Sequence, residues 1–226
     1  MTQLLESKIE IEVMPSKHII YDAGILSQSI TYFCYHQLKH IDIKHLPKIY
    51  IEIDTGYAKK IRHCGEVSTW GENVILVALS TKNISEDSQA EFAYGCCLKS
   101  LFHVFLHEFH HLLVLIELYL ERGKGTNLID ISEQRYKDSV NERRRLRRSG
   151  CPLDEVWINM AKEQNCEWFA FQNLPLFKNL YDHDFLYTPQ KAFMVKVKQV
   201  KTEIRKGDLQ ISNDQNIVEM VQPAQS

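Results

Sequence analysis

Apolar and polar residues alternate along Lys8–Met14 through Ile9, Ile11 and Val13, which predicts a β-strand. The same period returns over Lys48–Asp54 through Ile49, Ile51 and Ile53. Two shorter strands are predicted at Glu66–Trp70 and Asn73–Leu79, on either side of the hairpin-like break Gly71-Glu72. Between the first two strands the period lengthens. Leu26, Ile30, Phe33, Cys34 and Leu38 line one side of a helix that Asp22 can cap and that runs to about His40.

From residue 85 onward the pattern is helical. Ser85-Glu86-Asp87-Ser88 predicts an acidic first turn for a long apolar helix through Leu98–Leu120, ended by Gly123-Lys124-Gly125. Ile131–Arg148 predicts a charged helix. Pro152 predicts the start of another, carrying Val156, Trp157, Met160 and Glu163–Phe171 until Asn173-Leu174-Pro175 breaks it. Thr188-Pro189 predicts a last helix to about Lys206, and the polar residues 207–226 predict a flexible tail. The expected fold class is α+β in a single domain, residues 1–206. A small mixed sheet lies in 1–84 and a mainly helical part in 85–206. A strand just ahead of the long helix is expected at the sheet edge beside it.

Composition narrows this only a little. With 226 residues, net charge −2 and 44% hydrophobic residues, the chain can bury one sizeable core. Met1–Glu12 has no basic region followed by an apolar one, and Glu117 interrupts the apolar run Leu112–Leu120. These features predict a cytoplasmic protein with no membrane partner. The cysteines Cys34, Cys64, Cys96, Cys97, Cys151 and Cys166 form no C-x-x-C pair. They are expected to be reduced, mostly buried thiols and not the ligands of a cysteine-based zinc site.

The long apolar helix contains His107-Glu108-Phe109-His110-His111, an H-E-x-x-H pattern. Residues four apart share a helix face, so His107 and His111 can offer two imidazoles to one Zn2+ ion. Glu108 can reach water at that ion as a general base without ligating it. Burying these groups among Phe102, Phe105, Leu106 and Leu112 is costly unless something pairs with them. His103 extends the stripe by one turn and reads as a neighbour of the site or an alternative to His111. His110 points elsewhere and reads as packing or solvent contact. The third ligand is sought in Glu163-Gln164-Asn165-Cys166-Glu167-Trp168-Phe169-Ala170. One of Glu163 and Glu167 can bind the ion, and the other can fix a histidine tautomer. Glu163 is the preferred ligand, with the reverse assignment open. Tyr181, His183 and Tyr187 are candidate donors to a transition-state oxyanion.

His107-Glu108-Phe109-His110-His111, followed by Glu163-x-x-Cys166-Glu167-x-Phe169-Ala170 and Leu174-Pro175, resembles the ImmA/IrrE group of gluzincin metallopeptidases. The segment Gly65–Val77 resembles the edge strand of that fold. The resemblance implies a zincin-like zinc peptidase with His107, His111 and Glu163 as ligands and Glu108 as base. It also implies a regulatory protein substrate, such as a helix-turn-helix repressor or a co-encoded protein. The chain departs from the family at His110, often glycine in zincins, and at Cys166, usually alanine. Its interval between His111 and Glu163 is also longer.

That interval holds Arg143, Arg144, Arg145, Arg147 and Arg148, a basic patch that could contact phosphates or an acidic partner, nucleic acid included. The alternative is a solvated helix paired with Glu133, Asp138 and Glu142. A second functional reading is a non-catalytic zincin-fold module responding to nucleic acid through this patch. A third is a hydrolase of a small amide, which a small closed pocket would favour.

Overall fold

A computed structural model of the chain describes residues 8–14, 23–88, 98–123, 127–153 and 155–180. Four strands form one mixed sheet in the order β1-β2-β4-β3, with β1 at Ile9–Val13, β2 at Lys48–Ile53, β3 at Gly65–Thr69 and β4 at Val74–Leu79. β1, β2 and β4 run parallel, and β3 returns antiparallel on β4 with Val67 opposite Val77. Gly71 turns this hairpin at φ +67°, a left-handed conformation that suits glycine. Among the described residues β3 is therefore an edge strand, hydrogen-bonded to β4 alone.

The two-residue period of the strands sorts their side chains between two faces. Ile49, Ile51, Ile53, Ile75, Val77 and Leu79 join the main core under the helices. Leu76 and Ala78 face the other way, into a small cluster with Ala58 and Ile61. β4 is thus buried on both faces, as its unbroken apolar sequence requires.

Helix α1 spans Ala23–Leu38, α2 Thr81–Ser88, α3 Leu98–Arg122, α4 Leu128–Arg148 and α5 Ala161–Asn173, followed by a 3-10 segment at Leu174–Leu180. Ser85–Ser88 therefore end a separate short helix. They do not open the motif helix, which is described from Leu98; residues 89–97 lie outside the described set. α2 is set by Asp54, whose carboxylate accepts from the Thr81 backbone N–H at 2.9 Å. α3 is long and apolar enough to cross a membrane by length and composition alone. In this fold it is the central core helix, with Leu101, Phe102, Phe105, Phe109 and Leu112 fully buried.

α4 begins at Asn127, whose side chain accepts from Ile129 N–H at 2.8 Å. Pro152 does not start a helix. Residues 155–159 form successive turns, and Met160 is extended (φ −74°, ψ 129°) as the cap of α5. No side chain of its own caps that end; Glu142 of α4 supplies the acceptor, Oε1 lying 2.9 Å from Ala161 N. The expected helix at 188–206 and the tail lie outside the described residues.

Phe33 of α1 ties the layers together. Its ring meets Phe105, Phe109, Phe169 and Phe177 at centroid distances of 5.2–6.4 Å. Phe33→Ala is expected to lower the unfolding free energy by about 3–5 kcal/mol in urea titrations; a loss below about 1 kcal/mol would contradict a shared aromatic core.

Candidate metal centre

α3 and α5 meet along two polar stripes inside an apolar interface. His103, His107 and His111 lie four apart on α3, and Glu163 and Glu167 lie four apart on α5. Running in opposite directions, the stripes interleave. His103 Nε2 meets Glu167 Oε2 at 2.6 Å, and Glu167 Oε1 lies 2.7 Å from His107 Nδ1. On its other side His107 Nε2 lies 3.2 Å from Glu163 Oε2, and that same oxygen is 3.3 Å from His111 Nε2.

The two glutamates make contacts of different kinds. Those of Glu167 have the length of charge-assisted hydrogen bonds. One oxygen of Glu163 stands between two imidazole nitrogens at distances too long for strong bonds of that kind. A tetrahedral ion with bonds of ~2.0–2.1 Å separates its ligand atoms by about 3.3–3.4 Å, so these spacings fit the edges of such a site. The donor chemistry fits as well: two imidazoles and a carboxylate are what zinc takes in a site that keeps one position open.

Cys166 also belongs to this cluster. Its Sγ lies 3.2 Å from His111 Nδ1, 3.5 Å from His111 Nε2 and 3.2 Å from His110 Nδ1. His107, His111 and Cys166 are grouped closely enough that they could hold a metal ion. The sequence predicts that the cysteines are not ligands of a cysteine-based zinc site; here one cysteine joins two histidines in a group that could hold a metal ion. Pair-spacing rules see ligands contributed by one loop, whereas Cys166 reaches the histidines across a helix–helix interface. Its sulfur lies slightly nearer to Nδ1 of His111 than to the Nε2 that faces Glu163. Burial, then the charge of Glu163, keeps this thiol protonated in the absence of metal. Among the described residues, Cys34, Cys64, Cys151 and Cys166 form no disulfide.

Electrostatics make the cluster hungry for positive charge. Glu108, Glu163 and Glu167 are all buried. Burial pulls His107 down, but hydrogen bonds from Glu163 and Glu167 outweigh it and lift the imidazole to about 10. Both of those glutamates are driven well below the usual carboxylate range: burial opposes this, and the histidines overcome it. A proton on His107 thus plays, in the metal-free chain, the part a cation could play.

Glu108 lies toward the sheet edge. A Cβ on residue 65 would sit 2.6 Å from Glu108 Cγ and 2.9 Å from Val104 Cγ1, so the start of β3 presses directly on this side chain. Burial raises Glu108 to about 7, with the carboxylates of Glu163, Glu66 and Glu167 adding to it and His107 opposing. Trp157, 44% exposed, stacks on His107 at 5.8 Å. His110 packs on the Phe169 ring at 5.2 Å, and burial followed by His111 lowers it to about 4.

These groups open into a cleft of about 820 Å³ between β3 and the inner face of α4. Arg135, Ser139 and Arg143 line the α4 side. Arg143 is the member of the arginine run that reaches the cleft. Arg144, Arg145, Arg147 and Arg148 are exposed around the end of α4, with Arg145 3.9 Å from Glu142. Tyr181, His183 and Tyr187 lie outside the described residues. The sequence reading missed Arg135 and Cys166. A four-residue spacing of Arg135, Ser139 and Arg143 on one helix face was the available signal for the first.

No protein-family model, curated protein or solved structure matches this chain. The α+β class with a small mixed four-stranded sheet and several helices therefore rests on the coordinates themselves.

Gly65→Ala is expected to cost about 1–3 kcal/mol of stability through the clash with Glu108 and Val104. Adding Glu108→Ala should return part of that cost. Strictly additive losses in denaturant melts of the single and double variants would refute the contact.

Proposed function

We propose that this protein is a zinc-dependent endopeptidase of the ImmA/IrrE-like, zincin type, acting in the cytoplasm on a specific regulatory protein. The observation that carries the reading is the single Glu163 oxygen set between His107 Nε2 and His111 Nε2 at ligand-edge spacing. Glu108 follows His107 in sequence and lies against Gly65 at the start of β3, the edge strand among the described residues. A zinc ion held by His107, His111 and Glu163 would supply Lewis acidity, acidifying water and polarising a carbonyl.

The remaining work falls to the chain. Glu108 takes a proton from the attacking water and delivers it to the leaving nitrogen, a role worth ~10²–10⁴-fold. Glu167 Oε1, 2.7 Å from His107 Nδ1, would favour a proton on that nitrogen and so leave the Nε2 lone pair free. His103 holds the other oxygen of Glu167 in place. The outer edge of β3 offers main-chain N–H and C=O groups that can pair with an extended substrate. A cleft of about 820 Å³ along that edge favours a peptide over a small amide. A non-catalytic binding module would have no use for a buried base at position 108, which weighs against that alternative.

Glu108→Gln is expected to keep stoichiometric zinc by mass spectrometry while losing at least about a hundredfold in hydrolysis of the co-encoded target protein. Unchanged turnover would remove Glu108 as base. His107→Ala and Glu163→Ala should lose the metal, whereas Cys166→Ala should retain it. Zinc lost only from the cysteine variant would replace Glu163 with Cys166 as the third ligand.

Zinc uptake requires a neutral His107, whose metal-free form is protonated at neutral pH. Metal binding should therefore release a proton, and affinity should rise with pH toward about 10. Calorimetric titrations in two buffers of different ionisation enthalpy read this directly; identical heats would contradict it.

A further inference from the structure

The carboxylates that line the cleft are engaged. Glu163 and Glu167 face the histidines, and Glu66 accepts from Tyr57 Oη at 3.1 Å. Glu108 is buried against Gly65. The positive charge on the walls is freer. Lys162 sits 3.3 Å from Glu163, but no ion pair joins Arg62, Arg135 or Arg143 to a carboxylate among the described residues.

Arg135 is the most telling of these. It is half-buried, and its Nη1 donates to the carbonyl of His111 at 3.2 Å, which fixes its head beside the metal cluster. A guanidinium carries five N–H donors in a fixed fork. Glu163 acts on that guanidinium only from beyond ion-pair distance, which leaves most of its donors for an anion that arrives from outside. Arg143, eight residues on, shares the same wall and is exposed. Eight helical residues span about 12 Å, which an extended chain covers in about four residues at ~3.3 Å each. Four is an even step, so both substrate side chains would project from one face of the strand.

We propose that the cleft selects extended peptides bearing acidic side chains, with Arg135 binding a carboxylate next to the scissile bond and Arg143 binding a second one about four residues away. This rests on the peptidase reading for the direction of the bound chain, and adds to it the chemical class of the substrate. Arg135 acts here as a specificity residue on the substrate.

The test uses the full chain carrying Glu108→Gln and two fluorescein-labelled, end-blocked peptides of valine and threonine. One has two aspartates four residues apart; its isostere has asparagines there. Fluorescence anisotropy should give roughly tenfold tighter binding of the aspartate peptide at low salt. Arg135→Gln should reduce that preference to near unity, and Arg143→Gln to about threefold. Arg143 is exposed, so its variant remains readable even if Arg135→Gln fails to fold, and Arg135→Lys then replaces it, with a preference below that of arginine expected. Equal affinity for the two peptides, no saturable binding of the aspartate peptide, or a preference untouched by both substitutions would overturn the proposal. So would displacement of the peptide by short single-stranded DNA that depends on Arg135, which would assign the cleft to a polynucleotide. Zinc content of the same samples reports separately on the peptidase reading, so the two failures cannot be confused.

Discussion

The whole arrangement depends on an antiparallel zipper of imidazoles and carboxylates between α3 and α5. Five ionisable side chains alternate across the α3–α5 interface, and each inner member touches a neighbour on both sides. Such a row is stable only when complete, because removing one member strands its neighbours in a low-dielectric interior. It also fixes the register of the two helices more firmly than apolar packing could. Side chains of similar shape can slide by a turn, whereas a misaligned row would leave buried charges facing hydrocarbon.

The zipper divides labour by distance. Glu167 lies at hydrogen-bonding length from two histidines and acts as a spacer that orients rings. Glu163 lies at a longer, nearly equal distance from His107 and His111, so His107 is shared by both glutamates. Two residues identical in type, one helical turn apart, thus receive different roles from the offset of the facing helix. The sheet contributes in another way. Its antiparallel strand β3 brings Gly65 against Glu108, so one element forms both a wall of the cleft and, among the described residues, the edge of the sheet.

Much of this was legible in the pattern of residues. Strand positions followed from two-residue alternation, and the motif helix from its apolar stripe. His103, His107 and His111 on α3 and both α5 glutamates stood out by their spacing of four. What could not be read was the offset between two helices more than fifty residues apart, and everything that depends on it. That includes Cys166 against His111 and Arg135 on the His111 carbonyl. The Pro152–Met160 stretch misled for a local reason. Its composition is helical, but Asn159 spends its amide on the Glu155 carbonyl and lies 3.4 Å from the Cys151 sulfur, and Met160 turns extended. The separation of α2 from α3 was hidden because Asp54, distant in sequence, supplies the α2 cap.

The carboxylate of Glu142 at the first N–H of α5 carries a consequence for chain length. Adding or deleting one residue upstream in α4 would swing position 142 by about 100° around its axis and strip the α5 terminus of its acceptor. Changes of three or four residues would nearly restore the heading. Indels in this stretch should therefore be tolerated in steps of a whole turn, a periodic ruler imposed on one helix by the end of another.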